Sequence, residues 1–145
     1  MSNYATENLR TLALVGHGSC GKTTLIEAML YRAGMIPEMG SIQRGTTMCD
    51  NDLLEKEVGH SIRLAVAHID TAMTDLTPVR IHILDTPGYP DYLGQDMSAL
   101  DAVKSVCAVI DPTKGPELLT RRLMAMAKER GLCRICLLYT SPSPR

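Results

Sequence analysis

The sequence predicts an α/β fold: a three-layer α/β/α domain whose sheet is mostly parallel, with one antiparallel edge hairpin. Three observations carry that prediction. Strand-like apolar runs alternate with helix-like segments along the 145 residues, the signature of a parallel sheet covered on both faces. The octapeptide Gly16-His17-Gly18-Ser19-Cys20-Gly21-Lys22-Thr23 fills every fixed position of G-x-x-x-x-G-K-[ST], between one such strand and one such helix. Asp85-Thr86-Pro87-Gly88 stands directly after another apolar strand, where open α/β sheets place their ligands.

Leu9 to Val15 is the first predicted strand, and Lys22 to Ala33 the first helix, stopped by Gly34. Residues 35–60 carry Pro37, Gly40, Gly45, Asn51 and Gly59 and no sustained period, so they form a long irregular segment of the kind that is functional or mobile. Its acids Asp50, Asp52, Glu55 and Glu57 read as solvated loop charge. Ile62 to Ile69 alternates like a half-exposed strand, and Thr77-Pro78 marks the turn before the strand Val79 to Leu84. Tyr92 to Val103 is a helix, Val106 to Ile110 a buried strand, and Glu117 to Arg130 a helix closed by Gly131. Lys128 to Ile135 leads into a fifth strand, at which the predicted sheet is truncated.

Composition narrows the class. The length suits one domain, and a hydrophobic content of 45% without Trp or Phe implies an aliphatic core. A net charge of −1 argues against a general nucleic-acid surface and against DNA as a partner. The five cysteines show no metal spacing beyond Cys133-x-x-Cys136, which has no second pair, so they read as reduced thiols. There is no basic leader followed by an apolar run, and no stretch approaches the roughly 18 apolar residues of a membrane span. The expectation is a soluble cytoplasmic protein with no membrane partner.

The loop chemistry points to a nucleoside triphosphate. Small residues at Gly16, Gly18 and Gly21 let the backbone curl and turn several N–H groups toward one point, a concavity for phosphate. Lys22 supplies a positive charge for the β- and γ-phosphates, the Thr23 hydroxyl is placed for Mg²⁺, and the following helix directs its positive dipole end at the anion. Asp85 suits Mg²⁺ held through a water, and Gly88 can turn its N–H toward a γ-phosphate and move when that group is lost. Cys20 lies beside the helix N-terminus and Lys22, where a thiol pKa can fall.

Three segments resemble the nucleotide motifs of translational GTPases, and of elongation factor G and its G-like branch in particular. They are Gly16-His17-x-x-x-Gly21-Lys22-Thr23-Thr24-Leu25, Gly59-His60-Ser61-Ile62, and Asp85-Thr86-Pro87-Gly88-Tyr89-x-Asp91-Tyr92. The resemblance runs from about Leu9 to Ile135. It implies GTP/GDP binding with Mg²⁺, GTP hydrolysis, and the ribosome as stimulating partner in translation elongation. It implies nucleotide contacts from Gly16, His17, Gly18, Ser19, Cys20, Gly21, Lys22, Thr23, Thr24, Asp85, Thr86, Pro87 and Gly88, and metal contacts from Thr23, Ser61 and Asp85. Lys22 and Tyr89 are the expected catalytic residues. A ribosomal-protection or release-factor GTPase, and a ribosome-docking switch with little hydrolysis, are the alternative readings.

The chain departs from the family pattern at three positions. Ser19 stands where the family carries an acid, and Ser61 where it carries a Thr, keeping the metal-binding oxygen. Tyr89 replaces the His that orients the attacking water, as it does in the G-like branch, so slow intrinsic hydrolysis is expected. Beyond Ile135 the family continues into the base-reading N-K-x-D. Here Cys136 to Arg145 instead resembles the translation of a transposon-derived sequencing adapter. The expected division is therefore 1–135, the N-terminal part of a GTP-binding domain, and 136–145, a non-native tail. Such a piece is expected to be monomeric or aggregation-prone.

Overall fold

The computed structural model describes residues 4–49, 55 and 60–138. Its five-stranded sheet is built from β1 (Leu9–Val15), β2 (Ala65–Ala72), β3 (Pro78–Asp85), β4 (Ser105–Ile110) and β5 (Cys133–Leu138). Three helices cover it: α1 (Lys22–Arg32), α2 (Leu93–Ala102) and α3 (Leu118–Glu129). The strand order is β2-β3-β1-β4-β5. Every pairing is parallel except β2 with β3, which form the antiparallel hairpin with β2 at the edge.

The apolar alternation of the central strands divides the core between the two faces. Ala13 and Val15 join Val106, Ala108 and Ile110 under α2 and α3, with Leu100, Leu119 and Leu123. Leu14 turns the other way with Cys107, Val109 and Ile83, where Ile26 and Leu30 of α1 meet them. A period of two along strands buried on both faces is what a parallel sheet between helix layers requires. The helix ends follow the sequence: Gly34 (φ 70°) after α1 and Gly131 (φ 68°) after α3 take the left-handed conformation that stops a helix.

The strand expected over Ile62 to Ile69 is displaced toward the C-terminus. β2 begins at Ala65 and not at Ile62, because the backbone of residues 62–64 is bonded to side chains and not to a neighbouring strand. Glu55 Oε1 accepts the N–H groups of Ile62 and Arg63 at 2.9 and 3.0 Å. Gln95 accepts the Leu64 N–H at 2.6 Å and donates to the Ile62 carbonyl at 3.0 Å. Glu55 is thus a buried clamp, 5% exposed, and not the solvated loop charge expected of it. At the other end of the chain, β5 runs through Cys136, Leu137 and Leu138 in register with β4. The remaining tail residues 139–145, the acids Asp50, Asp52 and Glu57, and Gly59 lie outside the described residues.

Candidate functional site

The cleft forms at the carboxyl ends of β1 and β3, where the sheet delivers its two motifs side by side. β1 ends at Val15, the chain loops through residues 16–21, and α1 starts at Lys22 behind Gly21, which has φ 95° and gives no side-chain cap. The first N–H groups of α1 are therefore left to face the loop, with the positive end of the helix dipole behind them. Ser19, at φ 63°, takes the left-handed region at the exposed apex of the loop. Lys22 is 5% exposed, and its Nζ donates to the carbonyls of Gly16 and His17, each at 3.0 Å. The ammonium is thereby fixed across the mouth of the loop.

Beside it stands a buried cluster of oxygens drawn from three distant stretches of chain. Thr23 Oγ1 donates to Asp85 Oδ2 at 2.6 Å and lies 3.3 Å from Ser61 Oγ. Two hydroxyls and a carboxylate are the hard-oxygen donor chemistry that Mg²⁺ accepts, alongside phosphate oxygens and water. Ser61 reaches the cluster because Glu55 and Gln95 hold the three residues that follow it.

The Asp85–Gly88 turn packs on the loop at the limit of atomic contact. A Cβ at Gly88, where φ is 78°, would stand 2.3 Å from Lys22 Nζ and 2.4 Å from the Gly16 carbonyl oxygen. Only glycine allows that approach. The cleft between the two motifs is lined by Lys22, Thr23, His60, Ser61, Pro87 and Tyr89, together with Ser19, Gly21 and Ile42.

Several expected nucleotide residues turn elsewhere. The Thr86 hydroxyl donates to the Leu14 carbonyl at 2.9 Å and is fully buried, so it ties the turn to β1 and does not face the cleft. His17, Gly18 and Cys20 line a smaller hollow on the far side of the loop, where His17 Nδ1 lies 3.1 Å from Glu117 Oε2. Burial pushes the Cys20 thiol pKa up, outweighing the Lys22 charge beside it, so it is a neutral packing group and not the activated thiol its position allowed. Thr24 faces a separate hollow with Met39, Gly40, Ser41 and Ile42.

Three side chains that position the site escape the sequence reading: Glu27, Glu55 and Gln95. Glu27 is 1% exposed on α1, and its two oxygens accept the N–H groups of Gly40 at 2.9 Å and Met48 at 2.5 Å. It shares the inward stripe of Thr23, Ile26 and Leu30. An acid on an inward helical stripe was the available sign.

With loop, turn and oxygen cluster in place, similarity to known proteins is specific. A family model described as the elongation factor Tu GTP binding domain matches residues 7–139. The chain belongs to that family. Among curated relatives of this GTP-binding domain, the tetracycline resistance protein TetM from transposon Tn1545 of Enterococcus faecalis is 34% identical over 83% of the chain and 18% of its own length. Peptide chain release factor 3 of Streptococcus uberis is 35% identical over 85% of the chain and 24% of its own length. A crystal structure of a Thermus thermophilus protein superposes with TM-score 0.81 at 34% identity, covering 89% of this chain and 19% of that one. A bacterial selenocysteine-specific elongation factor gives TM-score 0.69 at 25% identity, over 89% and 19%. The chain thus spans less than a quarter of the length of these relatives. No helix among the described residues is long and apolar enough to cross a membrane.

Proposed function

We propose that this chain is the N-terminal part of the GTP-binding and GTP-hydrolysing domain of an elongation factor G-like translational GTPase that acts on the ribosome in the cytoplasm. The observation that carries the reading is the meeting of Thr23, Ser61 and Asp85 beside the Lys22 loop. Residues 38 and 62 positions apart converge on a point that a β,γ-phosphate would adjoin. Mg²⁺ fits that donor set: Thr23, Ser61 and Asp85 would hold it, and it would supply charge neutralisation to the phosphates.

The chain's own residues divide the work. The loop N–H groups and the α1 N-terminus bind the phosphates, and Lys22 places its charge against the β- and γ-oxygens. Thr23 and Ser61 present hydroxyls to the cation, and Asp85 orients them through its bond to Thr23. Gly88 brings its N–H to the γ-phosphate edge, so loss of that group releases the turn. Phosphoryl transfer draws chiefly on positioning and charge stabilisation, which this cleft provides by rigid backbone. Relatives named as a peptide chain release factor and a selenocysteine-specific elongation factor support a role in translation, and the ribosome is the partner we propose for it.

The test is a titration of the chain with fluorescent mant-GTP and mant-ATP, with and without Mg²⁺, alongside Thr23→Ala and Asp85→Ala. Binding of mant-GTP that Mg²⁺ strengthens in the wild type and not in the two variants is expected. No binding of either triphosphate, or no effect of Mg²⁺, would overturn the reading.

A further inference from the structure

The cleft holds two rings that the phosphate and metal chemistry leaves unused. His60 and Tyr89 meet at a centroid separation of 4.6 Å with their planes tilted 50°, and both line the same cleft as Lys22, Thr23 and Ser61. Tyr89 is pressed onto the phosphate loop. A Cβ at Gly18 would stand 2.3 Å from Tyr89 Cζ and 2.6 Å from its phenol oxygen, so the ring lies directly over the glycine backbone. Its hydroxyl end is thus against the loop wall, and the imidazole of His60 packs on the same ring within the cleft.

Hydrolysis requires a group that fixes the attacking water in line with the γ-phosphorus. Among the described side chains lining the cleft, Lys22 is spanned to the loop carbonyls and Thr23 and Ser61 belong to the oxygen cluster. Ser19 stands at the exposed apex. A neutral imidazole carries one N–H donor and one nitrogen acceptor, so the acceptor nitrogen can take a hydrogen of the water.

We propose that His60 is the positioning residue for the attacking water and that Tyr89 is the platform that holds its ring. The inference rests on the GTPase reading above. In the step it serves, the water oxygen bonds to the γ-phosphorus and the bond from that phosphorus to the β,γ-bridging oxygen breaks, its electron pair leaving on GDP. Both water protons depart with inorganic phosphate. His60 takes no proton in the balance; it fixes the approach.

The experiment uses the 145-residue chain. Binding of mant-GDP is measured first, then the fluorescence change on adding Mg²⁺ and aluminium fluoride, which mimics the transferring phosphoryl with its in-line water. Single-turnover hydrolysis is followed in parallel for wild type, His60→Leu, His60→Gln and Tyr89→Ala. All four are expected to bind mant-GDP within about threefold, which also reports that they fold. His60→Leu loses the fluoride complex and slows hydrolysis by about 100-fold, the scale of a misplaced reactant. His60→Gln, which keeps an acceptor, retains the complex, and Tyr89→Ala, which removes the platform, loses it. A His60→Leu variant that forms the complex as the wild type does overturns the proposal, as does a wild type that binds mant-GDP and forms no complex. A wild type that binds no mant-GDP overturns instead the nucleotide reading on which it rests.

Discussion

The phosphate loop and the residue 60–64 segment face each other across one cleft, yet they are held by opposite means. The loop is made by eight contiguous residues whose own backbone and Lys22 close it, through bonds spanning five and six positions. The 60–64 segment has no strand or helix of its own, and side chains at Glu55 and Gln95 take up its backbone groups. Glu27 does the same for Gly40 and Met48 farther back along the chain. A contiguous loop is rigid wherever it is placed. A segment tethered by a few hydrogen bonds can be released by breaking them, which is what a nucleotide switch requires.

Breaking the loop has the largest expected effect. Lys22→Ala removes a charge fixed over the phosphate position, and the loss of charged hydrogen bonds lowers mant-GTP affinity by about 100-fold. Far-ultraviolet circular dichroism should stay unchanged, because α1 retains its packing through Ile26 and Leu30. A variant that binds as the wild type does would show that the loop works without its lysine.

Breaking the tether comes next. Gln95→Leu deletes both bonds to residues 62–64, and each buried group left unsatisfied costs about 1–3 kcal/mol. Amide exchange at Leu64 is expected to accelerate by roughly 10- to 100-fold through local opening, while β1 and α1 amides keep their protection. Uniform acceleration across the domain would mean that the segment is not a separate unit.

The same contrast sets what the sequence discloses. β1, the loop and α1 are legible because their determinants are adjacent: an apolar run, glycines at fixed spacing, then a helical stripe. Asp85 to Gly88 is legible for the same reason, although Thr86 turns out to brace β1 at Leu14 and not to face the cleft. The start of β2 is not legible, because Ile62 and Leu64 alternate like a strand while their backbone partners lie on Glu55 and Gln95. No local pattern announces that an acid in an irregular stretch will be 5% exposed and bonded to the backbone seven residues on. His60 lies in the motif Gly59-His60-Ser61-Ile62, yet no local pattern pairs it with the ring of Tyr89 that the fold brings to 4.6 Å.

A smaller effect lies under the Gly88 turn. Asp96, in the first turn of α2, is fully buried, and neither carboxylate oxygen completes a hydrogen bond; the nearby Thr86 hydroxyl is committed to Leu14. Burial pushes its pKa above the ordinary 3.8, against weaker opposing pulls from Thr86, Lys22 and Gly88. The raised folded value means that its contribution is fully present below 3.8 and is lost as pH rises through that folded value. Asp96→Asn should therefore match the wild type in acid and exceed it at neutral pH, by about 1–3 kcal/mol if the whole burial penalty is removed. Thermal melts that stay parallel across pH would rule this out.

The smallest expected change is in the edge hairpin, which serves neither the loop nor the tether. Arg80 donates to Asp70 from Nε at 2.6 Å and from Nη2 at 2.7 Å, joining residues paired across β2 and β3. The Arg80 hydrogen bond holds the Asp70 carboxyl below its ordinary 3.8, although the pair lies near the surface, where solvent screens it and limits its contribution. A depressed folded value reverses the sign found at Asp96: the stabilisation is fully present above 3.8 and disappears as pH falls through the lower folded value. Asp70→Asn should thus sit slightly below the wild type from neutral pH down to that range, and the two melting curves should converge only below it. Raising the salt concentration should narrow the gap at neutral pH, since screening weakens exposed pairs more than buried ones. A gap that persists in acid would place its origin in hairpin packing and not in the charge pair.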